Sequence, residues 1–213
     1  MSVYTDFQED DIVKGNPTEV TTGLWSGGTG SLIPLYTGSE STGTVGQYYW
    51  NVYNINPTSS LAEVQFAIAY GHRTGLGGPS LAQDNNATIA TQAIYSQYRS
   101  LLLEPGDTQF TFLGNVSSDH IYVINVQRAR MKERLDPGNW QLNLSGSNGI
   151  LSFIDDSGQS LGSQFGKLGA VFYVVSGSLS GSSGSTISNV SSSHEGGYGL
   201  FYPTLGIIVL NPN

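Results

Sequence analysis

Residues 62–70 read AEVQFAIAY, with Val64, Phe66, Ile68 and Tyr70 alternating against Glu63, Gln65, Ala67 and Ala69. Successive side chains on a strand point to opposite faces, so this period of two collects the larger apolar groups on one side. The reading assigns that side to a core and the other to solvent. Just upstream, residues 47–55 read QYYWNVYNI and stop at Asn56-Pro57, a strand breaker. Tyr49, Asn51, Tyr53 and Ile55 share one face there, and Tyr48, Trp50, Val52 and Asn54 the other. Large groups on both faces mark a strand buried on both sides or lying in an interface.

The same grammar recurs along the chain. Strand-like runs at Glu19–Trp25, Ser31–Tyr36, Thr108–Leu113, Trp140–Leu144, Ile150–Ile154, Val171–Val175 and Leu205–Leu210 are separated by Gly, Pro, Asn and Asp clusters. Gly27-Gly28-Thr29-Gly30 suggests a hairpin or wide turn between the first two. One segment departs from this pattern. Thr88–Leu103 contains neither Gly nor Pro, and Ile89, Ala93, Ile94, Gln97 and Leu101 follow helical spacing. Asn86 or Thr88 supplies an N-cap oxygen, and the tail from Leu101 reads as extended. The expectation is a mainly β, antiparallel sandwich-like fold with one short helix near residues 88–100. It forms one structural domain over 1–213, with a flexible Ser/Gly-rich loop at 176–193.

Composition narrows the function classes. Gly, Ser, Thr and Asn fill 86 of 213 positions, whereas charged residues make up 11% and net charge is −8. That excludes a long coiled coil, and 11% aromatics argue against disorder. The acidic balance argues against a nucleic-acid partner. No apolar run reaches membrane-span length, and the acidic opening MSVYTDFQEDD does not resemble a secretory leader. With no cysteine there is neither a disulfide nor a thiolate metal site.

Catalytic signals are thin. His72, His120 and His194 lie far apart and outside any metal-ligand spacing. The Gly27–Ser31 cluster lacks the Lys of a phosphate loop, and Asp155-Asp156 lacks calcium-loop spacing, so both read as turns. No catalytic, cofactor or metal site is assigned.

One constellation stands out. Arg128, Arg130, Lys132 and Arg134 hold four of the eight basic residues within seven positions, at i, i+2 spacing. As a strand, all four project from one face and continue the row Tyr122, Ile124 and Val126. As a helix, they split over two flanks. Residues 127–134 leave both readings open. A cationic stripe on a net-acidic chain suits an acidic partner, first of all a second copy. Asp6, Glu9, Asp10 and Asp11 supply the matching acidic cluster. Tyr49, Trp50 and Tyr53, with Tyr48, form an aromatic group suited equally to an interface or a core.

Four phrases carry a family resemblance: VYTDFQEDDIVKGNPTEVTTGLW (3–25), TQAIYSQYRSLLLEPGDTQFTF (91–112), IYVINVQRARMKERLDPGNWQLNLSG (121–146) and LFYPTLGIIVLNPN (200–213). They resemble virion structural proteins of contractile-tailed phages that infect cyanobacteria. The resemblance spans most of the chain and carries no catalytic residue across. It implies a non-enzymatic subunit of the tail, baseplate or neck, located in the virion. The implied partners are other virion proteins and further copies, in a three- or six-fold ring. Three alternatives remain: a capsid decoration protein, a carbohydrate-binding module using exposed Trp25, Trp50 or Trp140, and, with the least support from the residues, a cell-wall hydrolase.

Overall fold

The computed structural model describes residues 21–22, 36–39, 48–75, 85–146, 149–157, 164–178 and 197–212. In chain order the strands are β1 (Thr21–Thr22), β2 (Tyr36–Ser39), β3 (Tyr49–Tyr53) and β4 (Val64–His72). Helix α1 (Asn85–Leu102) follows, then β5 (Phe110–Phe112), β6 (Val116–Ser118), β7 (His120–Val126) and β8 (Arg134–Leu135). The remainder are β9 (Leu142–Gly146), β10 (Gly149–Asp155), β11 (Gln164–Gly166), β12 (Gly169–Ser176), β13 (Gly199–Tyr202) and β14 (Ile207–Leu210).

Ten strands make one curled sheet in the order β2-β3-β4-β7-β14-β13-β12-β10-β9, with β11 also paired to β12. Every pairing in it is antiparallel. The mainly β, antiparallel architecture with one helix is therefore the one the alternating runs predict. A two-residue parallel contact joins β1 to β8, and β5 and β6 form a separate hairpin.

Both faces of the sheet are covered. On one side Ile121, Val123, Val171, Leu200, Tyr202, Ile207 and Val209 meet Tyr95 and Leu102 of α1 and Phe110 and Phe112 of β5. On the other, Ile124, Val126, Phe153, Val174, Phe201 and Ile208 meet Met131, Leu135 and Trp140. Residues 131–140 thus act as a strap across the second face. Burying each such side chain contributes about 1.5–3 kcal/mol, so these anchors hold both layers to the sheet.

Coverage on both sides corrects the reading of β4. Phe66, Ile68 and Tyr70 face the strap side, as the alternation predicts, but Ala67 and Ala69 do not face open solvent. Ala69 is buried, and α1 packs over this face. Small side chains there let the helix backbone approach the sheet. Gly71 continues the row: a Cβ on it would lie 2.9 Å from the Tyr95 amide nitrogen.

The helix is longer than expected and turned about its axis. It begins at Asn85, so Asn86 and Thr88 lie within it instead of capping it, and Leu101 and Leu102 remain helical. Its inward face is Thr91, Tyr95, Tyr98 and Leu102, whereas Ala93, Gln97 and Leu101 of the predicted stripe are exposed. Two tyrosines and a leucine bury more area than the aliphatic row, and packing decides the face. The expected loop at 176–193 lies outside the described residues except for Ser176–Ser178, the first of which ends β12.

Candidate interaction site

The basic segment does not continue β7. The strand stops at Val126, and Gln127 N–H donates to the Gln65 carbonyl at 3.0 Å, closing the ladder. Arg128–Arg130 then make a 3-10 turn, with Arg130 N–H donating to Gln127 O at 2.8 Å and Met131 N–H to Arg128 O at 3.0 Å. The cause lies at Met131 and Leu135, which must reach the strap-side core and so pull the chain across the sheet. Gly206 makes room for the first: its φ is +68°, and a Cβ there would lie 2.3 Å from Met131 Sδ. Leu135 N–H donates to the Pro203 carbonyl at 3.0 Å.

This geometry corrects the single-faced stripe. Arg128, Arg130 and Lys132 are exposed, whereas Arg134 is half-buried in β8, opposite Thr21. Arg130 forms an ion pair with Glu63, and Arg128 Nη1 donates to the Glu133 carbonyl at 3.2 Å. Three cations therefore crown a short turn fixed at Met131, and the fourth belongs to the strap. The predicted acidic partners Asp6, Glu9, Asp10 and Asp11 lie outside the described residues.

Tyr49, Trp50 and Tyr53 sit on β3, the second strand of the sheet, and all three are half-buried. Tyr49 pairs with Ala69 and Trp50 with Ile68, so the two rings flank opposite faces. Tyr49 Oη donates to Asn51 Oδ1 at 3.1 Å. The aromatics lie on β3, whereas the cations lie in the turn after β7 and in β8, so the two groups belong to different elements.

A cluster that sequence spacing did not reveal lies where β4 and β7 end. Their register sets His72 directly opposite His120, with ring centroids 4.3 Å apart and edge-on. Tyr70 Oη and His120 Nδ1 are 2.6 Å apart, and the Tyr122 ring lies tilted beside Tyr70 with centroids 5.2 Å apart. His72 Nδ1 accepts the Thr74 backbone N–H at 3.2 Å. An amide can only donate, so that nitrogen carries a lone pair and the proton of neutral His72 sits on Nε2. Burial, and then the neighbouring His120, hold its pKa below the usual histidine value. Alongside, Asp119 is ion-paired with Arg73, whose hydrogen bond holds the carboxyl below the usual carboxylate range. Histidines 48 positions apart carry no local motif, and only the strand register brings them together.

Asp155 and Asp156 are buried, and they serve the fold. Asp155 accepts Gly138 N–H at 3.0 and 2.9 Å and Ser157 N–H at 3.1 Å, while Asp156 Oδ1 accepts Tyr173 N–H at 2.8 Å. Burial pushes the Asp155 carboxyl up, and these donors pull it back. A cleft of about 270 Å³ lies between the end of α1, β5 and the β11–β12 turn, with Leu102, Val171, Leu200 and Tyr202 among its lining and Glu104, Asp107 and Lys167 around it. Burial pushes the Tyr202 phenol pKa strongly upward.

Among the described residues, no group of three or more His, Cys, Asp or Glu side chains converges to hold a metal ion. No helix there is long and apolar enough to cross a membrane. Trp140, one of three indoles offered for sugar binding, is 3% exposed and packs against Phe201. Comparison with protein-family models, curated proteins and solved structures gave no match.

Proposed function

We propose that the chain is a non-enzymatic structural subunit of a phage virion, in the tail, baseplate or neck, and that it works through protein–protein contacts in a symmetric assembly. The observation that carries this reading is the cationic turn. Arg128, Arg130 and Lys132 stand exposed within five positions on a chain of net charge −8, on a turn held by a buried methionine. Fixed charge of the minority sign suits docking against an acidic surface: it steers encounter and sets register. The four phrases resembling phage virion proteins supply the biological setting. The low charge elsewhere suits a surface covered by neighbours, because burying an unpaired charge is costly.

The test is to locate the protein in intact particles by stepwise disassembly, alongside an Arg128→Glu, Lys132→Glu variant. Recovery in tail fractions, with weakened incorporation of the variant at low salt, is the expected result. Recovery in head fractions would favour a capsid decoration protein, and absence from particles would overturn both readings.

A further inference from the structure

The strap-side core does not end where its cover ends. In the β9–β10 hairpin, Leu142 pairs with Phe153 and Leu144 with Leu151, so these four side chains share one face. Phe153 is buried and Leu142 packs against the core, but Leu144 and Leu151 are 45% and 41% exposed. The apolar face therefore runs outward past Trp140 and stops uncovered. Its other side, Asn143, Ser145 and Ser152, is polar apart from Ile150.

This uncovered face lies on the end strand. Among the described residues β9 has β10 on one side and no strand on the other. Edge strands are ordinarily guarded by charge, proline or a bulge, because unpaired backbone groups template another strand. Here the guard is missing: residues 138–154 contain no charged side chain and no proline. The β9–β10 ladder is also regular over all five pairs, with no bulge.

We infer that β9 pairs with β9 of a second copy, antiparallel and across a twofold axis, continuing the sheet from one molecule into the next. The charge distribution favours this occupant. Two molecules of net charge −8 repel, and this uncharged hairpin lets them approach with the least penalty. Each copy also brings the apolar pair, Leu144 and Leu151, that the other leaves uncovered. An axis through Leu144 uses all five residues, setting Leu144 opposite its own copy and Asn143 opposite Ser145 of the second copy. The paired edge is about 17 Å long, and the contact falls short of the roughly 1,000 Å² of a tight interface. The dimer is therefore weak by itself, with affinity in the micromolar range, and is reinforced where copies are held together. The geometry stands without the virion reading, although it gives that assembly one of its contacts.

The chain has no cysteine, so single cysteines report cleanly. Sedimentation velocity of the full chain over a concentration series should show a monomer–dimer equilibrium. Leu144→Lys and, separately, Leu151→Lys should each weaken it at least tenfold with unchanged circular dichroism. Leu144→Cys should form a disulfide dimer under mild oxidation, and Thr58→Cys, on an exposed loop, should not. A wild-type chain that stays monomeric throughout overturns the proposal. Hydrogen exchange of the Asn143 and Ser145 amides, which face away from β10 toward the edge, then separates the alternatives: protection means a segment of the same chain covers the edge, and fast exchange leaves it for another protein. Association that survives both lysine variants without cross-linking also overturns it, while leaving the assembly reading intact through another surface.

Discussion

Gly71 of β4 lies against the backbone of Tyr95 in α1, so closely that a methyl group on it would lie 2.9 Å from the Tyr95 nitrogen and 3.1 Å from its Cα. Both atoms are main chain and cannot rotate away. Gly71→Ala should therefore push helix from sheet and destabilise the protein by about 1–3 kcal/mol, the usual cost of overpacking. Urea unfolding would measure it, and a midpoint equal to wild type would contradict this account of the helix–sheet contact.

The Tyr95 hydroxyl joins three elements. It donates to the Ser118 carbonyl at 3.0 Å and accepts Phe110 N–H at 3.2 Å, in a side chain that is 1% exposed. Tyr95→Phe keeps the ring and removes the oxygen, leaving a buried donor and acceptor unpaired. A loss of roughly 1–3 kcal/mol is expected. Amide exchange at Phe110 should accelerate more than exchange in β13, which distinguishes loosening of the hairpin from general destabilisation.

Acid should weaken the fold in two separate windows. His72 is held neutral by burial, with His120, Asp119 and Arg73 around it, and its folded pKa lies below the ordinary value of 6.5. The unfolded chain then binds the proton more readily, so stability is complete above pH 6.5 and falls as pH drops below it. Asp119, held low by Arg73, contributes stability above the ordinary carboxylate value of 3.8 and loses it below. Melting temperatures between pH 7.5 and 3 should show both slopes. His72→Gln should flatten the upper one and leave the lower in place.

The Asp155 carboxylate ties the Asp136–Gly138 turn to the end of β10 through the Gly138 amide. Asp155→Ala leaves the buried Gly138 amide and the half-buried Ser157 amide without their acceptor. We expect a loss of roughly 2 kcal/mol or more, with Asp155→Asn retaining part of the stability through its amide oxygen. Chemical denaturation of the three proteins side by side tests the order.

Much of the sheet is legible in the sequence because a period of two is a local signal. The runs expected at 62–70, Ile150–Ile154, Val171–Val175 and Leu205–Leu210 fall on β4, β10, β12 and β14, although β4 starts at Val64 and β14 only at Ile207, after a turn. What escapes is whatever depends on a second element. The inward face of α1 is set by tyrosines whose partners lie in β5 and β7. The bend at Arg128 is imposed by Met131 and Leu135 reaching a core assembled from distant strands. The His72–His120 pair exists only through strand register. The row of alternating cations had a strand's spacing but lacked a strand's reason to continue.

The place of β14 has a consequence for how the molecule is made. This strand, the last in sequence among the described residues, lies in the middle of the sheet between β7 and β13. On a nascent chain, β2-β3-β4-β7 and β12-β10-β9 can pair as two half-sheets that share the packing of the strap, and among the described strands none bridges them by backbone hydrogen bonds until residues 199–210 emerge. The molecule closes like a book whose spine is fitted last. Chains interrupted upstream of Ile207 would carry two further open edges in the middle of the sheet.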